Sequence, residues 1–276
     1  MDSVTKSASP PGSFFSRNQF LILRLHSLSG LVPVGAYMCV HLLTNASVLA
    51  GAATFQNAVD QIHALGPALP LVEWSFIFLP LIFHAVVGVV IIRTGISNTA
   101  NYPLKGNIRY TLQRATAWVA LFFIFYHVFQ LHGWFHADWY KESIKSLGGG
   151  QFDAHHATST AATALLPFAV KLVYLIGVTA CIYHLANGIW TSGITWGLWI
   201  SPAAQKRATV VCAAFGAVMM VVGVGALVGM SKVDLVEAKA IEQSRIEAKE
   251  AEVRRAEEIK KQLEQKASTD TKAAAR

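Results

Sequence analysis

The sequence is poor in charged residues, and their distribution is uneven. Of its 276 residues 14% are charged, whereas a soluble domain carries about a quarter. Residues 1–230 contain 12 Lys or Arg and 6 Asp or Glu, while the last 46 residues contain 11 and 10. So few charges cannot cover the surface of a 230-residue body in water, which excludes a soluble globular enzyme.

Cysteine motifs and nucleotide-binding motifs are also lacking. Cys39, Cys181 and Cys212 lie singly in apolar runs without CxxC spacing, and no GxGxxG motif occurs. The sequence therefore has no signal for an iron–sulfur cluster or a dinucleotide-binding fold. The net charge of +7 comes from short basic clusters rather than one basic face, which excludes nucleic acid as a partner. The N-terminus lacks the pattern of a signal peptide, so we expect the first apolar run to be retained.

Long apolar runs dominate the sequence. Five reach the roughly 20 residues that a helix needs to cross a bilayer, and none shows the alternation of short barrel strands. The pattern predicts an all-α membrane protein with an N-terminal segment (1–19), a five-helix membrane domain (20–230) and a charged, helical tail (231–276). The predicted spans are Phe20–Leu49, Leu71–Ile96, Tyr110–Phe135, Thr163–Thr191 and Ala208–Met230.

The distribution of Lys and Arg predicts the orientation of these spans. One side of the membrane has nine such residues and the other has three, and the richer side normally faces the cytoplasm. We expect a bacterial cytoplasmic-membrane protein with its N-terminus in the cytoplasm and, after five crossings, its tail outside. Pairs such as Glu250/Arg254 and Glu257/Lys261 favour a solvated single helix for the tail over a coiled coil.

Four candidate histidines lie deep inside the first four spans, one from each span: His41, His84, His127 and His184. Ionisable residues inside a membrane are costly and are functional candidates. At about 1.5 Å per residue, His41 and His127 fall near the outer face, and His84 and His184 near the cytoplasmic face. Facing histidines in a four-helix bundle suit bis-imidazole ligation of haem iron. The sequence therefore predicts two stacked haems, ligated by His41/His127 and His84/His184.

Three alternatives to haem ligation predict different patterns around these histidines. A single buried histidine can simply bond a neighbouring helix, but this does not account for four at two matched depths. A zinc site would place its ligands at one depth, usually with a cysteine or a carboxylate. A proton-coupled transporter would show inverted repeats and broken helices, and the sequence shows neither. Because no CxxCH motif occurs, the haems would be held by ligation alone.

Six segments resemble a known family. In order and spacing, residues 17–230 are similar to the five-helix, di-haem cytochrome b subunit of Bacillus-like succinate dehydrogenases. The resemblance places the family's axial ligands on the same four histidines. The tail after Met230 and the loop with His155 and His156 depart from the family pattern. The matching segments are RLHSLSG (24–30), HLLTN (41–45), FLPLIFHAVVG (78–88), LQRATAWVALFFIFYHV (112–128), YHLANGIWTSGITWG (183–197) and SPAAQKR (201–207).

The resemblance implies a membrane anchor within a larger enzyme. In that family a flavoprotein subunit oxidises succinate, and an iron–sulfur subunit passes the electrons to the anchor at its cytoplasmic face. The anchor transfers them through two haems b to a quinone, expected here to be menaquinone. A quinol:fumarate reductase anchor would use the same parts in reverse, so the direction of turnover stays open. Whether the complex forms a homo-oligomer also stays open.

Four further polar residues are candidates beside the ligands. Arg24 and His26 in the first span, and Arg114 in the third, are expected to bind haem propionates, with a quinone carbonyl as the alternative for Arg24 and His26. An arginine at a helix end can also simply reach the interface. Glu73 enters the second span near the outer face, where the resemblance implies an acidic residue and a quinone site. Because quinone reduction consumes protons, Glu73 is the candidate donor; the alternative is an interfacial carboxylate facing headgroups.

Overall fold

The structure is a computed structural model, and it describes residues 14–94, 99–135 and 138–274. Within these ranges it contains helices and no strand, which confirms the all-α class. Residues 1–13 of the predicted N-terminal segment (1–19) lie outside the described residues, as does Ile96, the predicted end of the second span.

Among the described residues, five helices are long and apolar enough to cross a membrane, as the apolar runs predict. Many of their large apolar side chains are exposed, including Val221 at 75%. Apolar surface on this scale is accounted for by contact with lipid, and the chain is a multi-pass membrane protein. The spans are Arg17–Ala50, Gly66–Arg93, Lys105–His132, Phe168–Thr195 and Pro202–Met230.

The helices follow one another with short connections. In chain order they are α1 (Phe14–Ser29), α2 (Ala36–Ala46), α3 (Ala52–His63), α4 (Leu69–Glu73), α5 (Leu79–Thr94), α6 (Lys105–His127), α7 (Asp138–Lys145), α8 (Ala157–Ala164), α9 (Phe168–Thr195), α10 (Pro202–Met230) and α11 (Leu235–Ala274). Short 3₁₀ turns lie at Ser47–Ala50, Gly66–Ala68 and Ala154–His156. The first span thus joins α1 to α2, and the second joins α4 to α5.

All five spans begin a few residues away from the predicted starts, and for the fourth and fifth spans the local sequence explains the difference. The predicted start of the fourth span at Thr163 is wrong, because Thr163 belongs to α8 and the span begins at Phe168. Pro167 causes this break, since a residue before proline avoids the helical conformation. The fifth span begins at Pro202 rather than Ala208: the Ser201 side chain caps the helix by accepting from the Ala204 amide, and proline suits the first helical position.

Three of the spans contain a π-helical segment: Gly30–Gly35, Trp74–Phe78 and Val128–His132. The first contains Pro33, and the second ends shortly before Pro80. Proline has no amide hydrogen to donate and its ring crowds the preceding turn, so the helix widens or bends there. The third segment begins directly after the His127 position.

The spans pack side by side in alternating directions. Helix α1 packs on α5, α6 on α9, and α10 on both α9 and α2. The alternation brings Arg93, Lys105 and Lys206 to one end of the bundle, which we call the basic end. The opposite end is covered by α3, α8 and the first turns of α11, which contact one another and which we call the cap.

The cap holds the beginning of the charged tail. Glu242 on α11 is 1% exposed, and its carboxylate accepts hydrogen bonds from the backbone amide and the hydroxyl of Ser159 at 2.8 and 2.6 Å. Asp60 on α3 forms ion pairs with Arg245 at 2.8 Å and Lys249 at 3.2 Å. The tail is helical as predicted, but the expectation of a fully solvated helix is wrong for its first turns, because these carboxylates dock them. The side chains of residues 252–265 are exposed.

The Asp60 ion pairs depend on pH. Burial disfavours the charged form of Asp60, but hydrogen bonds from Arg245, Lys249 and Gln56 outweigh it and lower the pKa of this carboxyl. A carboxyl with a lowered pKa stabilises the docked state above its ordinary titration range and loses that effect as the pH falls through the lowered pKa. At neutral pH the ionised Asp60 therefore contributes its full stabilisation to the docking of α11.

We expect Glu242→Ala to weaken the docking of α11 by about 2–4 kcal/mol, because two buried donors of Ser159 lose a charged acceptor. Glu252→Ala, an exposed position on the same helix, is the matched control and should change stability by less than about 0.5 kcal/mol. Hydrogen exchange of the amides of residues 235–249 measures both variants. Equal protection in both would show that Glu242 does not hold the tail.

Candidate functional site

The four span histidines form two ring pairs. The ring centroids of His84 and His184 are 6.2 Å apart with an interplanar angle of 85°. Those of His41 and His127 are 5.7 Å apart at 79°. We call His84/His184 the basic-end pair and His41/His127 the cap-end pair. These are the neighbours predicted from depth, and their role as ligands stays a prediction.

The spacing suits two imidazoles on opposite sides of one metal ion. Imidazole nitrogen bonds zinc at about 2.0–2.1 Å, so two nitrogens across such an ion are about 4 Å apart and their ring centres slightly more than about 6 Å. The basic-end pair meets this spacing and the cap-end pair falls a few tenths of an ångström short. No group of three or more His, Cys, Asp or Glu suited to a metal occurs among the described residues. A metal at either pair would thus need further ligands from another source, and the four nitrogens of a macrocycle are one such source.

Hydrogen bonds orient the basic-end rings. Nδ1 of His84 donates to the carbonyl of His26 at 2.9 Å, and Nδ1 of His184 donates to the carbonyl of Gln113 at 3.2 Å. Because a carbonyl can only accept, each Nδ1 carries the proton and each Nε2 keeps its lone pair. Both rings are therefore in the tautomer that binds a metal through Nε2.

The cap-end rings have side-chain partners instead. Nδ1 of His127 lies 3.1 Å from the hydroxyl oxygen of Tyr174. Nε2 of His41 lies 3.4 Å from the Asn45 amide nitrogen, whose shorter bond of 2.8 Å goes to the His41 carbonyl. The His41 ring also contacts the ring of Tyr37 at 5.5 Å. His41 is therefore held less firmly through its ring nitrogens than His127.

A cavity of about 910 Å³ borders the basic-end pair, and most of the residues that line it come from the first four spans. Cofactor pockets are commonly about 300–1,000 Å³ and mostly apolar. Bare backbone shapes its wall: a Cβ added at Gly30 would overlap the His84 ring, and one at Gly88 would lie 3.3 Å from Cε1 of His26. Space, tautomer and ring spacing all fit a haem at the basic-end pair. At the cap-end rings the Nδ1 partner of His127 fits a haem ligand, while the ring spacing of 5.7 Å is a few tenths of an ångström short.

The other predicted residues are distributed unevenly. His26 lines the cavity and stacks on His84 with centroids 4.0 Å apart, and within the described chain its buried Nδ1 has no hydrogen-bond partner. Arg114 also lines the cavity and donates to the Ile91 carbonyl at 3.2 Å. The Arg24 guanidinium lies over the rings of Phe20 and Trp196, 4.4 and 5.1 Å from their centroids. The structure therefore brings His26 and Arg114, but not Arg24, to the cavity.

Glu73 lies on the cap side of the second span, at the end of α4. It is close enough to Tyr37 to act on it electrostatically, and the Tyr37 ring contacts that of His41. The next residue, Trp74, lines the cavity. Glu73 is thus near the cap-end pair, as its depth predicts.

A polar chain behind His184 was not predicted from the sequence. Nε of Arg109 donates to Oδ1 of Asn187 at 3.0 Å, and Nδ2 of Asn187 donates to Oε1 of Gln113 at 2.8 Å. The Gln113 amide donates to the His184 carbonyl at 3.2 Å. One signal could have found Asn187: it lies three residues after His184 and so shares its helix face. For Gln113 the signal is an amide side chain within an apolar span.

Comparison with known proteins identifies the family. No family model matches the chain. Over 209 residues it is 32% identical to the succinate dehydrogenase cytochrome b558 subunit of Bacillus subtilis (strain 168), covering 76% of this chain and 96% of that protein. The chain belongs to the succinate dehydrogenase cytochrome b subunit family. The resemblance drawn from the six segments is confirmed, and the family name denotes a haem b protein within an enzyme complex.

For this cytochrome b subunit, we expect Gly30→Ala to weaken haem binding at the basic-end pair about tenfold or more. The added Cβ overlaps the His84 ring, and overpacking of this kind costs about 1–3 kcal/mol. The control is Gly106→Ala, since Gly106 lines the same cavity and its Cβ would meet nothing within 4 Å. Haem content per chain measures both. Equal haem content would show that His84 does not need the bare backbone at residue 30.

Proposed function

We propose that this chain is the di-haem membrane anchor of a succinate:quinone oxidoreductase and that it reduces a quinone, menaquinone in particular. The observation that carries the proposal is the presence of two histidine ring pairs, 6.2 and 5.7 Å apart, in the first four spans of a member of this family. When bound, each haem b supplies a one-electron redox centre.

The residues of the chain hold and orient these centres. His84 and His184 would ligate one iron, and their Nδ1–H bonds to backbone carbonyls leave the lone pair of Nε2 for it. At His184 the Gln113 amide nitrogen lies 3.5 Å from Nε2 and would have to turn away. His41 and His127 would ligate the other. His26 and Arg114 would bind propionates at the basic-end pair, which is supported by their position in the lining of the cavity. Arg24 would have to leave the rings of Phe20 and Trp196 to do the same.

The charge distribution supports an orientation, and the family supports the partners. We propose that the basic end faces the cytoplasm and docks an iron–sulfur subunit and a flavoprotein subunit, so that electrons enter at the basic-end pair. The cap and the tail then lie outside. A quinol:fumarate reductase would use the same parts in reverse, and the name of the B. subtilis relative favours succinate oxidation.

Glu73 is the proposed proton donor to the quinone. It lies near the cap-end pair and acts on Tyr37, which contacts the ring of His41. A quinone accepting electrons at this pair needs protons on the same side of the membrane. A half-buried carboxylate at the span entry can take them from water and deliver them to the quinone.

The histidine pairs are tested by haem content and electron paramagnetic resonance of single variants in membranes. His84→Ala and His184→Ala should remove the same haem signal, and His41→Ala and His127→Ala the other, because low-spin iron needs both imidazoles. His63→Ala, in α3 of the cap, is the control and should keep both signals. The pairing is wrong where His41→Ala and His84→Ala remove one and the same signal.

Glu73→Gln tests the proton donor, since it keeps size and hydrogen bonding and removes the titratable proton. We expect both haems to be retained and still reduced by succinate, while quinone reduction falls roughly 10²–10⁴-fold. Glu142→Gln is the control, because Glu142 is an exposed carboxylate paired with Lys145 in α7. Unchanged activity of the assembled Glu73→Gln complex with a menaquinone analogue would leave Glu73 without a role in protonation.

A further inference from the structure

Two buried polar side chains lie behind the His127 ring. Tyr174 is buried on α9, and its hydroxyl oxygen is 3.1 Å from Nδ1 of His127. The same hydroxyl donates to Oε1 of Gln130 at 2.9 Å. Gln130 is 2% exposed, and its amide nitrogen donates to the carbonyl of Ala164 at 3.0 Å. We call Tyr174, Gln130 and the Ala164 carbonyl the relay.

The direction of every hydrogen bond in the relay is determined by its far end. The Ala164 carbonyl can only accept, so the Gln130 amide nitrogen faces it and Oε1 faces Tyr174. Since Oε1 can only accept, the Tyr174 proton points at Gln130. The Tyr174 oxygen therefore offers a lone pair to His127, and Nδ1 of His127 carries the proton. This leaves Nε2 of His127 as the metal-binding atom.

We propose that Tyr174 and Gln130 are positioning residues for the cap-end haem, which select the Nδ1–H tautomer of His127 and lower the reduction potential of that haem. The proposal rests on His127 being a ligand, as argued for the proposed function. A ligand imidazole whose Nδ1–H is drawn toward an acceptor becomes more basic and favours the oxidised iron. Each further bond in the chain polarises the preceding one.

The end of the relay strengthens this effect. Ala164 is the last residue of α8, and carbonyls at the end of a helix lack an intrahelical partner and carry partial negative charge. The Gln130 amide satisfies this carbonyl within the protein. The basic-end ligands differ, since His84 and His184 donate directly to backbone carbonyls. The relay thus acts on the cap-end haem alone. Because it consists of side chains, substitution can remove it, whereas the backbone carbonyls at the basic-end pair cannot be removed in this way.

Tyr174→Phe tests the relay in the full complex, because it keeps the ring packed between Phe123 and Tyr126 and removes the hydroxyl. A net hydrogen bond of about 0.5–1.5 kcal/mol corresponds to about a twofold to tenfold shift in equilibrium. Because only the difference in bond energy between the oxidised and reduced states acts on the potential, we expect the reduction equilibrium of the cap-end haem to shift toward the reduced form by up to that factor, with altered g values. The basic-end haem should keep its potential and its spectrum.

Two further variants make the result interpretable. Tyr126→Phe removes a hydroxyl from a neighbouring ring, 6.4 Å from Tyr174 between centroids, and should leave both potentials unchanged. Gln130→Leu removes the acceptor of the Tyr174 proton and should shift the cap-end potential in the same direction as Tyr174→Phe. It supplies the test if Tyr174→Phe fails to assemble.

The outcomes distinguish the relay from the proposed ligand set. If His127→Ala keeps both haem signals, His127 is not a ligand and the proposed function fails at this position. If His127→Ala removes the cap-end signal while Tyr174→Phe and Gln130→Leu leave its potential and g values as in the wild type, the ligand stands and the relay is overturned. A shift of both haems together would also overturn it, because the relay contacts one pair.

Discussion

A neutral histidine inside a bilayer needs an acceptor within the protein for its ring N–H, because hydrocarbon supplies none. This requirement organises the first four spans. His84 and His184 reach backbone carbonyls of neighbouring helices, and His127 reaches the Tyr174 hydroxyl. In each of these three rings the partner fixes the proton on Nδ1, so that Nε2 keeps its lone pair. The packing of α1 on α5 and of α6 on α9 is therefore also what prepares the rings for a metal.

The two pairs meet this requirement in different surroundings. The basic-end pair borders an open cavity whose wall is bare backbone at Gly30 and Gly88. The His127 ring of the cap-end pair is instead in ring contact with Phe123 and Tyr174. Space for a macrocycle is thus evident at one level of the bundle, and a side-chain hydrogen-bond chain is evident at the other. A difference of this kind allows one protein to hold two chemically identical groups at different potentials.

The fold and the ring pairs could be predicted because they depend on regular quantities. Apolar length predicts the spans, and a constant helical rise places His41 level with His127. The partners of the rings could not be predicted this way, since Gln113, Gln130 and Tyr174 become partners through the rotation of each helix and the packing between helices. Glu242 was equally hidden, because it is one of many glutamates in a charged helix and only the contact with Ser159 distinguishes it. The start of α9 was missed because the apolar composition is continuous from Thr163 onward. The helix nevertheless begins only at Phe168, since Pro167 interrupts it.

The docking of α11 determines the geometry of the rest of that helix. Its first turns are clamped by Glu242 and by the ion pairs of Asp60, while the helix continues to Ala274. At about 1.5 Å per residue, the roughly 25 residues beyond Lys249 form a rod of about 37 Å. Because its base is fixed at several points, the rod cannot pivot freely as a tethered peptide would. The end of the helix is therefore held at a set distance from the point where the chain leaves the bundle.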